Sequence, residues 1–373
     1  IDDVIVGEEH KVGNRNMRAE IAPDGSLVKL WMSFAMDIKN DSLFHPKSLF
    51  NIVAENVGYP PAVPVAGGKN PDIVEKVTLP SWDYYVDWQA AAIKRLIDEE
   101  NYEVVFSHIH NVDAHGHLFY YFAKEREELG NDAARYEGFI EHTYTQTDRY
   151  LGAFLPLLDE GWTIFIVSDH GLVVSELPHK DIPLLGDPFG VNVMMLKELG
   201  YTALKKDADG NDLKEIDWEN TKAIATRGNH IIINLKGRNP HGIIDPADKY
   251  KLEEEIISAL YGYRLNGRRV VSIALRNKDA AIIGMSGDDC GDIIYFLEEG
   301  ANRIHGDSLS TTYGYFETSV SPIFIAAGKG LKRGFKTERV IRQVDVAPTI
   351  AVLGGVRMPA QCEGALIFQI LEG

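Results

Sequence analysis

Residues able to do chemistry gather at three places in this chain. The first is Asn111-Val112-Asp113-Ala114-His115-Gly116-His117, which sets a carboxylate and an imidazole four positions apart around a glycine-containing turn. Oxygen and nitrogen donors in combination suit zinc or a similar first-row divalent ion. A single histidine in a polar loop is ordinarily just solvated, but His108, His110, His115 and His117 fall within ten residues beside an aspartate. The second place is Ser168-Asp169-His170-Gly171. Adjacent Asp and His can ligate one ion where the chain turns sharply, and Gly171 permits that turn; the plainer alternative is that Asp169 caps a following helix. The third, His305-Gly306, is unremarkable by spacing alone.

The elements that must position these groups are readable from periodicity. Within residues 83–100, Val86, Ala90, Ile93 and Ile97 recur at helical spacing and lead into the apolar run Val104-Val105-Phe106, a helix feeding a buried strand. The next such unit is a helix over residues 150–158, stopped at Gly161, and Thr163 to Val167 is a β-rich run. The alternation predicts an α/β fold, a mainly parallel sheet flanked by helices. Ligands of such sheets sit beyond the carboxyl ends of the strands, where the first two clusters fall. After Gly171 come proline and glycine punctuation, the acidic stretch 207–219 and a βα-like unit over 230–261. Residues 185–300 therefore read as an inserted cap, with 1–184 and 301–373 as the core. Strand character returns at 321–326, residues 328–334 form a turn, and Asp345-Val346-Ala347-Pro348-Thr349 opens a last helix with Pro348 in its first turn.

Bulk properties narrow the function. With 373 residues and 45% hydrophobic content, the chain can bury one large core or two smaller ones. It has no apolar run long enough to span a bilayer and no signal-peptide pattern, so a soluble, cytoplasmic protein is expected. It opens on Ile1 rather than Met, so an original N-terminus is expected to have been removed. Against 38 basic residues stand 55 acidic ones, a formal net charge of −17 that disfavours a large nucleic-acid partner. A small phosphorylated substrate is compatible, because bound divalent cations invert the local sign of a carboxylate-rich pocket. Two cysteines, Cys290 and Cys362, make neither a disulfide framework nor a cysteine zinc site. Basic residues at His179-Lys180, 227–230 and Lys236-Gly237-Arg238 read as solvated surface, and Trp31, Trp82, Tyr84 and Tyr85 as core or rim.

In their order, Asp113 and His117, then Ser168 to Gly171, then His305-Gly306 ahead of Pro322-Ile323-Phe324-Ile325-Ala326, with the closing Asp345 to Thr349 segment, resemble the alkaline phosphatase superfamily. Within it the resemblance is to the type I phosphodiesterase and nucleotide pyrophosphatase branch. It implies two divalent metal ions, Zn2+ foremost with Mn2+ or another first-row metal as alternatives. Asp113, His117 and His305 would hold one ion, and Asp169 and His170 part of the shell of the other. It also implies a Thr or Ser nucleophile and a first-strand aspartate, both expected upstream of Ile1, so the chain alone is expected to be nearly inactive. Asn14 matches an asparagine that contacts the transferred phosphoryl group, and residues 185–300 a substrate-selecting cap. Two other functions fit the same residues: a phosphonate or sulfate ester hydrolase on this scaffold, and a non-catalytic metal- or ligand-binding relative. The Cys-x-Pro-x-Arg segment of sulfatases does not occur in the chain. Oligomeric state is left open.

Overall fold

The protein was analysed as a computed structural model, which describes residues 2–6, 8–62, 64, 70–124, 130, 132–172, 193–226, 230–298 and 322–373. In chain order its elements begin with strands β1 (Asp2–Val6), β2 (Glu9–Asn14), β3 (Met17–Ile21), β4 (Leu27–Met32) and β5 (Met36–Asp37). Helices α1 (Ser48–Asn56), α2 (Pro71–Ile73), α3 (Leu79–Glu99), α4 (Asn111–Phe119) and α5 (Ala133–Gly152) follow, then β6 (Thr163–Val167) and α6 (Val193–Glu198). Next come β7 (Leu204–Lys206), β8 (Asp212–Ile216), β9 (Ala223–Ala225), β10 (His230–Ile233) and α7 (Lys249–Gly262). The chain ends with β11 (Arg264–Leu265), β12 (Arg268–Arg269), β13 (Val271–Arg276), β14 (Ile293–Leu297), β15 (Phe324–Gly328) and α8 (Val346–Leu353). The fold is mixed α/β.

Two compact units emerge, one of residues Ile1–Ile166 with Phe324–Gly373 and one of Val167–Ile323. In the first unit α3 buries Leu79, Trp82, Val86 and Ala90, the stripe expected of a helix with its apolar residues three and four apart. Asp132 caps α5, its side chain accepting from the Arg135 N–H at 3.2 Å. Trp82, Val86, Ala90 and Tyr150 form one apolar cluster, and Val74, Leu79, Phe119, Tyr136 and Phe139 another. Strands β6 and β15 pair, and Phe165 and Phe324 pack with Leu331, Ile367 and Ile370. Gly328, at φ +124°, closes β15 against Trp162: a Cβ there would lie 2.3 Å from the Trp162 carbonyl oxygen, so only glycine fits. Asp345 and Thr349 tie the C-terminal segment to α8, since Asp345 accepts from the Ala365 N–H at 2.9 Å and Thr349 Oγ1 from the Ile367 N–H at 3.0 Å.

Strands in the second unit form an antiparallel sheet in the order β13-β14-β10-β9. Strand β10 alternates as half-buried sheets do, Ile231 and Ile233 inward and His230 and Ile232 less so. Helix α7 lays Leu252, Ile256 and Leu260, one face at a spacing of four, into the same core as Ile293, Tyr295 and Leu297. Beside this core Asp292 takes two 2.7 Å bonds from the Arg238 guanidinium and a third from the Ile233 N–H, with Lys249 at 3.2 Å.

Two expectations need correction. The described strands do not assemble a mainly parallel sheet: β1–β2–β5, β3–β4, β7–β8, β11–β12 and the four-stranded sheet are small and antiparallel. Val104, Val105 and Phe106 lie outside any strand and are exposed, for β-forming residues make a strand only where a neighbour supplies a ladder. Both cysteines are free thiols.

Candidate functional site

Helix α4 carries two pairs of polar residues at i, i+4, and each pair occupies its own face. Asn111 and His115 are fully buried. Asn111 Nδ2 donates to the Thr143 carbonyl at 3.1 Å, to Thr147 Oγ1 at 3.1 Å and to Gln146 Oε1 at 3.3 Å, all on α5. Thr143 Oγ1 donates to the Phe139 carbonyl at 2.9 Å, so its 2.7 Å contact with His115 Nδ1 is one in which the imidazole N–H donates. Gln146 Nε2 continues the row onto α3, reaching the Leu79 carbonyl and Asp83 Oδ1, each at 3.1 Å. Burial, with a smaller push from His142, pulls the His115 imidazole down to about 4, so it is neutral at ordinary pH. It also packs edge-on against Trp82.

Asp113 and His117 lie two residues on from that locked pair and hence on a different side of the helix. Asp113 Oδ1 and His117 Nε2 are 3.1 Å apart, and His110 Nε2 stands 2.7 Å from Asp113 Oδ2. Metal–ligand bonds of about 2.0–2.2 Å place two donors of one ion roughly 3 Å apart, so the spacing of this pair fits a shared divalent cation. The clustered histidines thus have different employments: His115 is structural, His110 supports Asp113, and His117 is the candidate ligand.

In the second unit, His170 is buried and its Nδ1–H donates to the Gly171 carbonyl at 2.8 Å. That bond fixes the tautomer and makes Nε2 the donor atom, as in metal-binding histidines held by a backbone carbonyl. The segment is closed by Ser168 Oγ donating to the His170 carbonyl at 2.6 Å. Asp169 is exposed, its Oδ2 3.8 Å from His170 Nε2. Asn14 ends β2, paired with Met36 of β5. His305, His179-Lys180 and Arg227 lie outside the described residues. Sequence reasoning missed the partners of Asn111 on α5, the buried Thr143 and Gln146 and the half-buried Thr147. The available signal was polar residues at i, i+3 and i+4 on the inward face of α5, where an apolar stripe is the rule.

A carboxylate and imidazoles of this kind, on a mixed α/β scaffold, define the class as α/β proteins with donors for a metal ion. The family is more particular. The model of the type I phosphodiesterase / nucleotide pyrophosphatase family matches residues 28–318, and the chain belongs to that family, within the alkaline phosphatase superfamily. Comparison with curated proteins and with solved structures gave no match. The family is one of phosphoric ester hydrolases acting on small phosphorylated substrates. No described helix is long and apolar enough to cross a membrane.

Proposed function

We propose that this protein is a metal-dependent phosphodiesterase or nucleotide pyrophosphatase-like hydrolase that works with two divalent ions, Zn2+ by preference. The observation that carries the reading is the Asp113–His117 pair, held at ion-sharing distance on a helix whose opposite side is locked. Asp113, His117 and His305 are the donors for one ion, and Asp169 and His170 contribute to the other. When bound, the ions activate a Ser or Thr hydroxyl as nucleophile and neutralise charge on the phosphoryl oxygens. No residue of 1–373 is assigned as that nucleophile. Asn14 contacts the transferred phosphoryl group, and residues 185–300 select the substrate.

The test is metal analysis and turnover of a chromogenic phosphodiester by the full-length protein, alongside His117→Ala and His170→Ala. Bound metal and hydrolysis, both lost in the two variants and both restored to chelated wild type by Zn2+, are expected. A full-length protein that binds no metal, or that hydrolyses the diester unaffected by either substitution, would overturn the assignment. Faster turnover of a phosphonate or sulfate ester would move the substrate class while leaving the ligands in place.

A further inference from the structure

The two oxygens of Asp113 face different imidazoles. Oδ1 lies 3.1 Å from His117 Nε2, the spacing of two donors on one ion, whereas Oδ2 lies 2.7 Å from His110 Nε2. A carboxylate can only accept, so in the second contact His110 carries the proton and donates. Its length is that of a charge-assisted bond. His110 stands three residues before Asp113, at neighbouring positions on the first turn of α4. Its carbonyl accepts the Ala114 N–H at 3.0 Å, and its ring lies 5.3 Å from that of His108, whose own carbonyl accepts from Gln89 Nε2 of α3 at 2.7 Å. Unlike His115, the His110 side chain is 57% exposed and fills no core position. Among the described residues the polar partner of its ring is Asp113.

We propose that His110 is a metal-selectivity residue: by occupying Oδ2 it confines Asp113 to one bond with the ion, through Oδ1, and so tilts the site toward Zn2+ and away from Mn2+. The inference rests on the ligand assignment proposed above. Carboxylates bind divalent ions through one oxygen or through both. Zn2+ takes four ligands in a tetrahedron, a number that a carboxylate supplying a single oxygen suits. Mn2+ favours six ligands, mostly oxygens, and gains from a carboxylate whose second oxygen is open. In this chain the second oxygen already accepts a strong hydrogen bond, which a further bond to the same ion would have to bend or displace. The same contact holds the carboxylate in orientation. Removing it therefore loosens the one bond that Zn2+ uses and opens Oδ2 to Mn2+, and both changes lower the same affinity ratio. His110 acts through the ligand rather than on the ion, as a positioning residue.

The experiment is titration of Zn2+ and of Mn2+, each alone, into the chelated full-length protein, with His110→Ala, His110→Gln and His108→Ala beside wild type and His117→Ala to identify the ion that Asp113 shares. Sites of nitrogen and oxygen donors generally prefer Zn2+ to Mn2+, so the quantity to follow is the change in that ratio. In His110→Ala the Zn2+ affinity should fall about tenfold, as for other residues that hold a ligand in place, while the Mn2+ affinity falls less or rises. His110→Gln, whose side-chain amide can still donate to Oδ2, should recover most of the ratio, and His108→Ala should leave it unchanged. A ratio unmoved in His110→Ala, or lowered equally in His108→Ala, overturns the inference and leaves the ligands assigned. So does the outright loss of one ion from the stoichiometry of His110→Ala, since His110 is then itself a ligand. A wild type that binds neither ion overturns the ligand assignment, and the inference with it.

Discussion

The sheet of the second unit and the α3–α4–α5 layer of the first solve the problem of burial differently. Around β10, β14 and α7, Ile231, Ile233, Ile256, Leu260, Ile293 and Tyr295 are completely buried in one continuous aliphatic core, and the charged groups Asp292, Arg238 and Lys249 satisfy one another at its edge. Beneath α4, in contrast, the buried positions include Asn111, His115, Thr143 and Gln146, and apolar packing is divided between two smaller clusters. An aliphatic core tolerates small slides of one element over another; a row of directional hydrogen bonds fixes both the rotation and the height of a helix. The layer that carries the two proposed ligands, Asp113 and His117, is the one built with polar contacts. Stability and aim are thus separable properties of the two regions, which substitutions can test.

The largest effect is expected at the aimed pair. His117→Ala should remove bound metal and lower turnover by about a thousandfold, roughly 4 kcal/mol of barrier, while thermal unfolding of the metal-free protein changes little. Metal content and kcat/KM check it, and metal retained with rate unimpaired would dissolve the contrast at its functional end. Leu260→Ala should show the converse. It empties a fully buried site in the second unit and should cost about 3 kcal/mol in denaturant unfolding, without altering the metal content of the folded fraction.

Between these lies Asn111→Ala, which tests the polar row itself. It removes an amide that donates to three acceptors on α5 and should cost about 2 kcal/mol. If the row aims the ligands, metal affinity also falls by roughly tenfold, as for other residues that orient a ligand without touching the ion. Isothermal titration of Zn2+ into the chelated protein separates the two: loss of stability with affinity intact would make the row structural support and no more.

Much of this contrast is legible in the amino-acid sequence. The helical stripe Val86, Ala90 and Ile93, the strand at Thr163 to Val167 and the proline-bearing last helix are local patterns that survive into the fold, whereas the equally local run Val104 to Phe106 does not. The family rests on ordered motifs and is likewise legible. Sheet architecture is not, because alternating strands and helices do not state which strands pair; β10, read from the sequence as opening a βα unit, lies antiparallel to both β9 and β14. Within the site, the four-residue spacing of Asp113 and His117 means a common face only on a helix, whereas the glycine between them suggests a turn; α4 continues through Gly116 and settles the matter. His115 is indistinguishable from His117 by type; only burial and the contact with Thr143 separate the buried strut from the proposed ligand.

The smallest effect concerns the charged edge of the second unit and is visible mainly in acid. Burial alone would raise the Asp292 carboxyl, but the Arg238 pair, the Ile233 N–H and Lys249 outweigh it and hold the group below the ordinary carboxylate range. A carboxyl whose folded pKa is depressed adds stability that is present above its unfolded value, about 3.9, and disappears as pH falls toward the folded value. Unfolding free energy should therefore drop as pH is lowered through about 4, and Asp292→Asn should flatten part of that drop. At pH 7 the substitution should cost about 1–2 kcal/mol, since an amide keeps one acceptor for Ile233 but loses the charge that faces Arg238. Urea titrations of both proteins from pH 3 to 7 measure the slope directly. An unchanged slope would mean that Asp292 titrates alike in folded and unfolded chains, leaving the aliphatic core to account for the second unit's stability without its ionic edge.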